Sequence, residues 1–209
     1  MRILIFGDSV TQGFWDTEGG WANRIRRYYD EKVLSSQNYD LPTIFNLGVS
    51  GNTSEDLLVR FENEVKVRIY EEVAIVIAIG VNDSRIDSGI NYSSPENYTK
   101  NLAELLAIAE RYTKKILFVG LTPCVDSHSN PVSWDETVGY TSTNITAFDA
   151  ALNEFCTQNK IKFVEILEPF TAAQSKTELL PDSLHPNNQG HQLIADLVLP
   201  KLQELIDAN

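Results

Sequence analysis

The protein has 209 residues, 43% of them hydrophobic and 22% charged, enough for one sizeable core without disulfide or metal staples. Its 17 Lys and Arg stand against 29 Asp and Glu, and a net charge of −12 with no offsetting basic patch argues against nucleic acid or an anionic membrane as partner. No run reaches the ~18 apolar residues of a membrane helix, and the opening Met-Arg-Ile-Leu-Ile-Phe-Gly is too short for a signal-peptide core. A cytoplasmic location is the expectation. There is no linker, repeat or low-complexity stretch, so residues 1–209 read as a single domain. Cys124 and Cys156 form no C-x-x-C pair and read as reduced, buried thiols.

Short β-branched runs alternate with longer amphipathic ones from end to end. Strands are predicted at 2–7, 43–47, 73–79, 115–121 and 161–166, and helices near 20–35, 53–69, 95–113, 141–159 and 188–207. The first, third and fourth strands are almost continuously apolar, as strands buried on both faces should be. Thr53, with Asp56 three residues on, has the pattern of a capping box. Pro95 suits a first helical turn, and Asn187 or Asn188 suits the cap of the last helix. The βαβαβαβαβα order implies a parallel sheet with helices on both faces, since each crossover is right-handed. Chemistry in such sheets collects at the carboxyl ends of the strands.

The candidate residues lie at those ends. Gly7-Asp8-Ser9 closes the first strand, and a serine on the tight turn leaving a central strand is exposed at the sheet's edge. Taken alone, Ser9 equally fits a cap for the following turn. As a nucleophile it needs a general base. There are three histidines, and His185 lies in Asp182-Ser183-Leu184-His185, where the D-x-x-H spacing sets a carboxylate one turn from the imidazole. His191 reads as a solvated residue at a helix start. His128 lies near Asp126 and Cys124 in the long segment 122–140, too loose a set to predict a metal site. Gly51 and Asn82 follow the second and third strands and are candidate donors to an oxyanion, one through its backbone and one through its carboxamide. Each has a plain alternative as a turn residue. Their convergence on one edge is what favours chemistry.

These residues resemble the motif blocks of the SGNH hydrolases, also called GDSL-type esterases and lipases. Gly7-Asp8-Ser9 matches the G-D-S block, Gly51 the glycine of the second block, Gly80-Val81-Asn82-Asp83 the G-x-N-D block, and Asp182 through His185 the D-x-x-H block. All are in family order, from near residue 2 to the last helix. The G-D-S block continues Val10-Thr11 rather than the more familiar Leu-Ser, and segment 122–140 aligns with no family motif. The resemblance implies a flavodoxin-like three-layer α/β/α sandwich with a five-stranded parallel sheet. It also implies an oxyanion hole formed by the Ser9 and Gly51 N–H groups with the Asn82 amide.

The reaction so implied is hydrolysis of a small-molecule carboxylic ester through a Ser9–His185–Asp182 triad, with no metal or organic cofactor. Esters of short acyl groups, acetylated carbohydrates, thioesters and lysophospholipids are the candidate substrates. Val10, Phe14, Trp15, Trp21 and Trp134 lie in or near loops on the same edge and are candidates to line the pocket. An α/β-hydrolase reading is disfavoured, because that fold wants a mid-sequence G-x-S-x-G elbow. A binding module holding flavin or phosphate at the first turn is the rival of another class, and Asp8 is poorly placed for it.

Overall fold

The structure, a computed structural model, describes residues 1–207. Ile3 to Phe6 are fully buried within β1 (Arg2–Gly7), which α1 (Ser9–Gln12) and α2 (Gly20–Ser36) follow. Next come β2 (Thr43–Gly48), α3 (Ser54–Lys66), β3 (Val73–Ala78) and a 3-10 turn at Asn82–Ser84. The two-residue strands β4 (Ile86–Asp87) and β5 (Ile90–Asn91) precede α4 (Pro95–Ala109) and β6 (Ile116–Val119). The short α5 (Asp126–Ser129) and β7 (Val138–Gly139) lead to α6 (Ser142–Asn159) and β8 (Lys162–Val164). Two helices come last, α7 (Leu167–Gln174) and α8 (Asn188–Ile206).

β1, β2, β3, β6 and β8 form one parallel sheet in the order β2-β1-β3-β6-β8, the flavodoxin-like arrangement. Alternate residues of β1 and β3 face opposite layers. Leu4, Phe6, Ile75 and Ile77 pack with Leu57 and Phe61 of α3, Leu102 and Leu105 of α4, and Leu152 of α6. Ile3, Ile5, Ala74 and Val76 pack with Ile25 of α2 and Ile194, Val198 and Leu202 of α8. Apolar burial on both faces is the main force holding the three layers together. The five predicted strands and five predicted helices are all present, with ends moved by at most a few residues.

The capping signals act as the sequence suggests. Thr53 and Asp56 bond reciprocally as a capping box, Pro95 occupies the first turn of α4, and Asn187 caps α8 by accepting from the Gln189 and Gly190 N–H groups. Within segment 122–140, expected to be irregular, α5 and β7 are ordered, and β7 joins β4 and β5 in a small antiparallel sheet. These elements are too short to carry a hydrophobic period. α7 also lies outside the predicted helices; Phe170 is its one buried residue, so it shows little amphipathic stripe.

Register sets the working edge. Gly7 pairs with Gly48 on β2 and with Ala78 on β3, so three strands end level. Gly7 is required there: a Cβ would fall 2.1 Å from Thr11 Oγ1 and 2.5 Å from the Ala78 carbonyl oxygen. That close approach lets α1 turn back at once, which is what presents Ser9.

Candidate active site

Asp8 is the N-cap of α1, its Oδ1 accepting from the Val10 N–H at 3.0 Å, and Ser9 is the first residue of that turn. Ser9 Oγ lies 2.9 Å from His185 Nε2, although 176 positions separate them in sequence. His185 Nδ1–H donates to Asp182 Oδ2 at 2.7 Å, which fixes the tautomer that leaves Nε2 free to accept the Ser9 hydroxyl proton. Asp182 Oδ1 accepts from the Leu184 and His185 N–H groups at 3.0 and 2.7 Å, so the turn locks its own carboxylate. Ser183 takes the left-handed backbone (φ 73°) that this tight return needs. Burial alone would raise the Asp182 carboxyl, but the bonds from the His185 imidazole and the two N–H groups outweigh it and hold it down at about 2.

Opposite Ser9, Gly51 adopts a left-handed φ of 79° between β2 and α3, with no atom within 4 Å of where a Cβ would lie. What excludes other residues there is therefore backbone conformation rather than space. Asn82 begins the 3-10 turn after β3. Its Nδ2 donates to the Asn52 carbonyl at 3.0 Å, and its Oδ1 accepts from the Tyr140 hydroxyl at 2.8 Å. With Oδ1 occupied by a donor and Nδ2 anchored by one hydrogen, the second Nδ2 hydrogen remains for a ligand. Asp83 stiffens the same corner by accepting from the Ser54 N–H and from the Ser54 hydroxyl. Arg60 braces it from below, through Nε to Asn52 Oδ1 at 2.8 Å and Nη2 to the Gly7 carbonyl at 3.2 Å.

Ser9, Gly51, Asn82, Asp182 and His185 line one cleft of about 220 Å³. Phe14, Trp15 and Trp134 form its walls, with ring centroids 5.5, 6.3 and 5.6 Å from the His185 ring. Two expected wall residues are not there. Val10 is 8% exposed and packs into the α2/α8 side of the core, because the helical turn that raises Ser9 sends the next residue inward. Trp21 is 1% exposed and belongs to the same core, since it lies on the buried face of α2.

His191 corrects a further expectation. It is fully buried rather than solvated, and its Nε2–H donates to the Phe14 carbonyl at 3.0 Å. The first turn of α8 lies beneath loop 13–19, and burial lowers the His191 pKa. His128 bonds to Ser127, while Asp126 accepts from the Ser142 N–H and hydroxyl at the start of α6. Among the described residues no group of three or more His, Cys, Asp or Glu is placed to hold a metal ion. Cys124 and Cys156 are free and buried, and burial pushes their thiols up to about 11 and about 12. They stay protonated and are poor nucleophiles.

Tyr140 is the site residue that the sequence does not announce. No motif surrounds it. The signal available is its position just before the α6 cap at Thr141, which places it at the sheet's carboxyl edge.

A parallel sheet in this order, with a serine, a histidine and a carboxylate in line at its carboxyl edge, defines a hydrolase of the three-layer α/β/α type. The protein belongs to the GDSL-like lipase/acylhydrolase family, whose model matches residues 5–193. No curated protein matches it. The solved structures it resembles include a lipase/acylhydrolase from Enterococcus faecalis, with a TM-score of 0.75 and 22% identity, the match covering 97% of the present sequence and 95% of that protein. An acetyl xylan esterase from Geobacillus stearothermophilus has a TM-score of 0.70 and 20% identity, with coverage of 96% and 94%. For a lipolytic G-D-S-L protein from Veillonella parvula the values are 0.70 and 19%, with coverage of 96% and 97%. At these identities the likeness is one of fold. Among the described residues no helix is long and apolar enough to cross a membrane.

Proposed function

We propose that this hydrolase cleaves carboxylic esters of small acyl groups through an acyl-enzyme on Ser9. The observation that carries the reading is the 2.9 Å contact from Ser9 Oγ to His185 Nε2, continued at 2.7 Å from Nδ1 to Asp182. His185 takes the hydroxyl proton as Oγ bonds to the acyl carbon, and Asp182 stabilises the imidazolium that forms. The oxyanion is received by the Ser9 and Gly51 N–H groups and the free Asn82 Nδ2 hydrogen. Collapse breaks the bond to the alcohol oxygen, which leaves with the proton from His185. Water then repeats the sequence and frees the acid. Asp182 stays a carboxylate down to about pH 2, so it keeps accepting the Nδ1–H as the medium is acidified.

The cleft's size supports a short acyl group, since its volume of about 220 Å³ is below the ~300 Å³ at which drug-sized ligand pockets begin. A second reading, an acetylated carbohydrate, is favoured by two exposed rings. Trp15 is 61% and Trp134 52% exposed, and flat aromatic faces at the rim of a site suit a ligand with one apolar face. The acetyl xylan esterase among the structural neighbours is consistent with that choice. The test is hydrolysis of p-nitrophenyl acetate, butyrate and octanoate and of peracetylated xylose by the wild type and Ser9→Ala. Turnover of the acetate that disappears in the variant is expected. Equal rates in the two proteins would overturn the mechanism, and a preference for octanoate would overturn the short-acyl reading.

A further inference from the structure

Trp15 does more than wall the cleft. Its Nε1–H lies 2.5 Å from Asp182 Oδ2, the same oxygen that accepts from His185 Nδ1 at 2.7 Å. The other oxygen is already taken by two backbone N–H groups. The triad carboxylate therefore has four donors among the described residues, of which Trp15 alone comes from outside its own turn. An indole that is 61% exposed is not held in place by burial; the bond at its polar end orients it together with ring contacts to Phe14 and His185.

The backbone on both sides of Trp15 is clamped. The Phe14 N–H donates to the Ser9 carbonyl at 3.1 Å, and the Phe14 carbonyl accepts from the buried His191. Asp16 accepts from the Gly20 N–H and makes a two-pronged pair with Arg24, the carboxylate 0% and the guanidinium arm 9% exposed. Between these anchors Trp15 is forced into left-handed backbone, φ 61°, unusual for a bulky residue. Bulky residues held in such conformations cluster at functional sites.

We propose that Trp15 is a positioning residue for the triad: its indole N–H holds Asp182 Oδ2 against His185 and shares that oxygen's charge. This rests on the ester-hydrolase reading for its kinetic consequence, though not for the bond itself. Because both donors compete for one oxygen, losing the indole N–H leaves more of the carboxylate's charge to the imidazolium. The charged imidazole is then favoured to higher pH, and the acid limb of activity must move upward.

The test compares wild type with Trp15→Phe, which keeps an aromatic wall, and with benzothienylalanine at position 15, which keeps the indole shape and lacks the N–H. In both, the acid limb of kcat/KM is expected to rise by about half a pH unit, with kcat down about 3- to 10-fold and KM within about twofold. A role as wall alone would leave the benzothienyl protein like wild type, and that result overturns the proposal. Independently of turnover, the Trp15 indole proton should resonate downfield in nitrogen–proton spectra and return to the ordinary indole range in Asp182→Ala. An ordinary resonance in wild type overturns the proposal even if esters are cleaved. A downfield resonance in a protein that cleaves no ester keeps the bond but removes its catalytic consequence, so it too overturns the positioning role, together with the ester reading.

Discussion

Two segments supply the working edge by opposite means. The Asp182–His185 turn supplies most of its own bonds: its carboxylate accepts two N–H groups and one imidazole from within three residues, and Trp15 is its one donor from elsewhere among the described residues. Segment 122–140 combines bonds of its own with ties to remote partners, β4 and Asn82 among them. The Tyr140 N–H donates to the Ser129 carbonyl at 2.7 Å, the Ser129 hydroxyl to the Tyr140 carbonyl at 2.9 Å, and the Val125 N–H to the Ser183 carbonyl at 2.9 Å. Through these bonds the segment delivers Tyr140 to Asn82 and Trp134 to His185. The turn aligns the proposed proton relay, and the long segment orients the Asn82 amide proposed to receive the oxyanion and shapes the wall.

Changes in the turn should therefore cost most. His185→Ala is expected to lower kcat for p-nitrophenyl acetate by about 10⁴-fold or more, and Asp182→Asn by about 10³- to 10⁴-fold because it disturbs the tautomer. Steady-state rates with matched folded spectra decide this; a loss under tenfold in either would break the comparison. Across the cleft, Asn82→Ala removes one donor and should cost about 10²- to 10³-fold in kcat with little change in KM. Tyr140→Phe removes one of the two bonds that hold the Asn82 amide, and a smaller loss of about 3- to 10-fold in kcat is expected, since the anchor to Asn52 persists. If Tyr140→Phe matches wild type while Asn82→Ala is impaired, the long segment plays no part in aligning the amide.

The smallest effect concerns stability behind the edge. Asp149 on α6 accepts the Leu121 N–H at 2.8 Å, yet burial raises its carboxyl from 3.8 to about 6. A carboxyl raised on folding binds its proton more tightly in the folded state. Stability it leaves intact below about pH 4 is lost as pH climbs through about 6. Asp149→Asn keeps an acceptor without the charge, so a gain of about 1–2 kcal/mol near neutral pH is expected by denaturant titration, vanishing near pH 4. A loss at neutral pH would show that the charge itself is needed.

The same contrast governs what the sequence reveals. Ser9, Gly51, Asn82, Asp182 and His185 stand in short motifs whose backbone sets their direction, at strand ends that hydrophobic runs make visible. Tyr140 carries only the weak signal of its place before the α6 cap, and its role is set by a partner 58 positions away. Val10 shows the limit from the other side: its position near the nucleophile is readable, but the helical turn that buries it is not. His191 likewise follows Asn187 at helical spacing, and its burial depends on loop 13–19 packing over it, a contact between the two ends of the sequence.

The central claim is that Ser9 is made nucleophilic by His185. Fluorophosphonate labelling followed by peptide mass spectrometry tests it without any assumption about the natural substrate. The expected result is one covalent adduct, on Ser9, whose rate collapses in His185→Ala. An adduct elsewhere, or equal labelling with and without the imidazole, would contradict it.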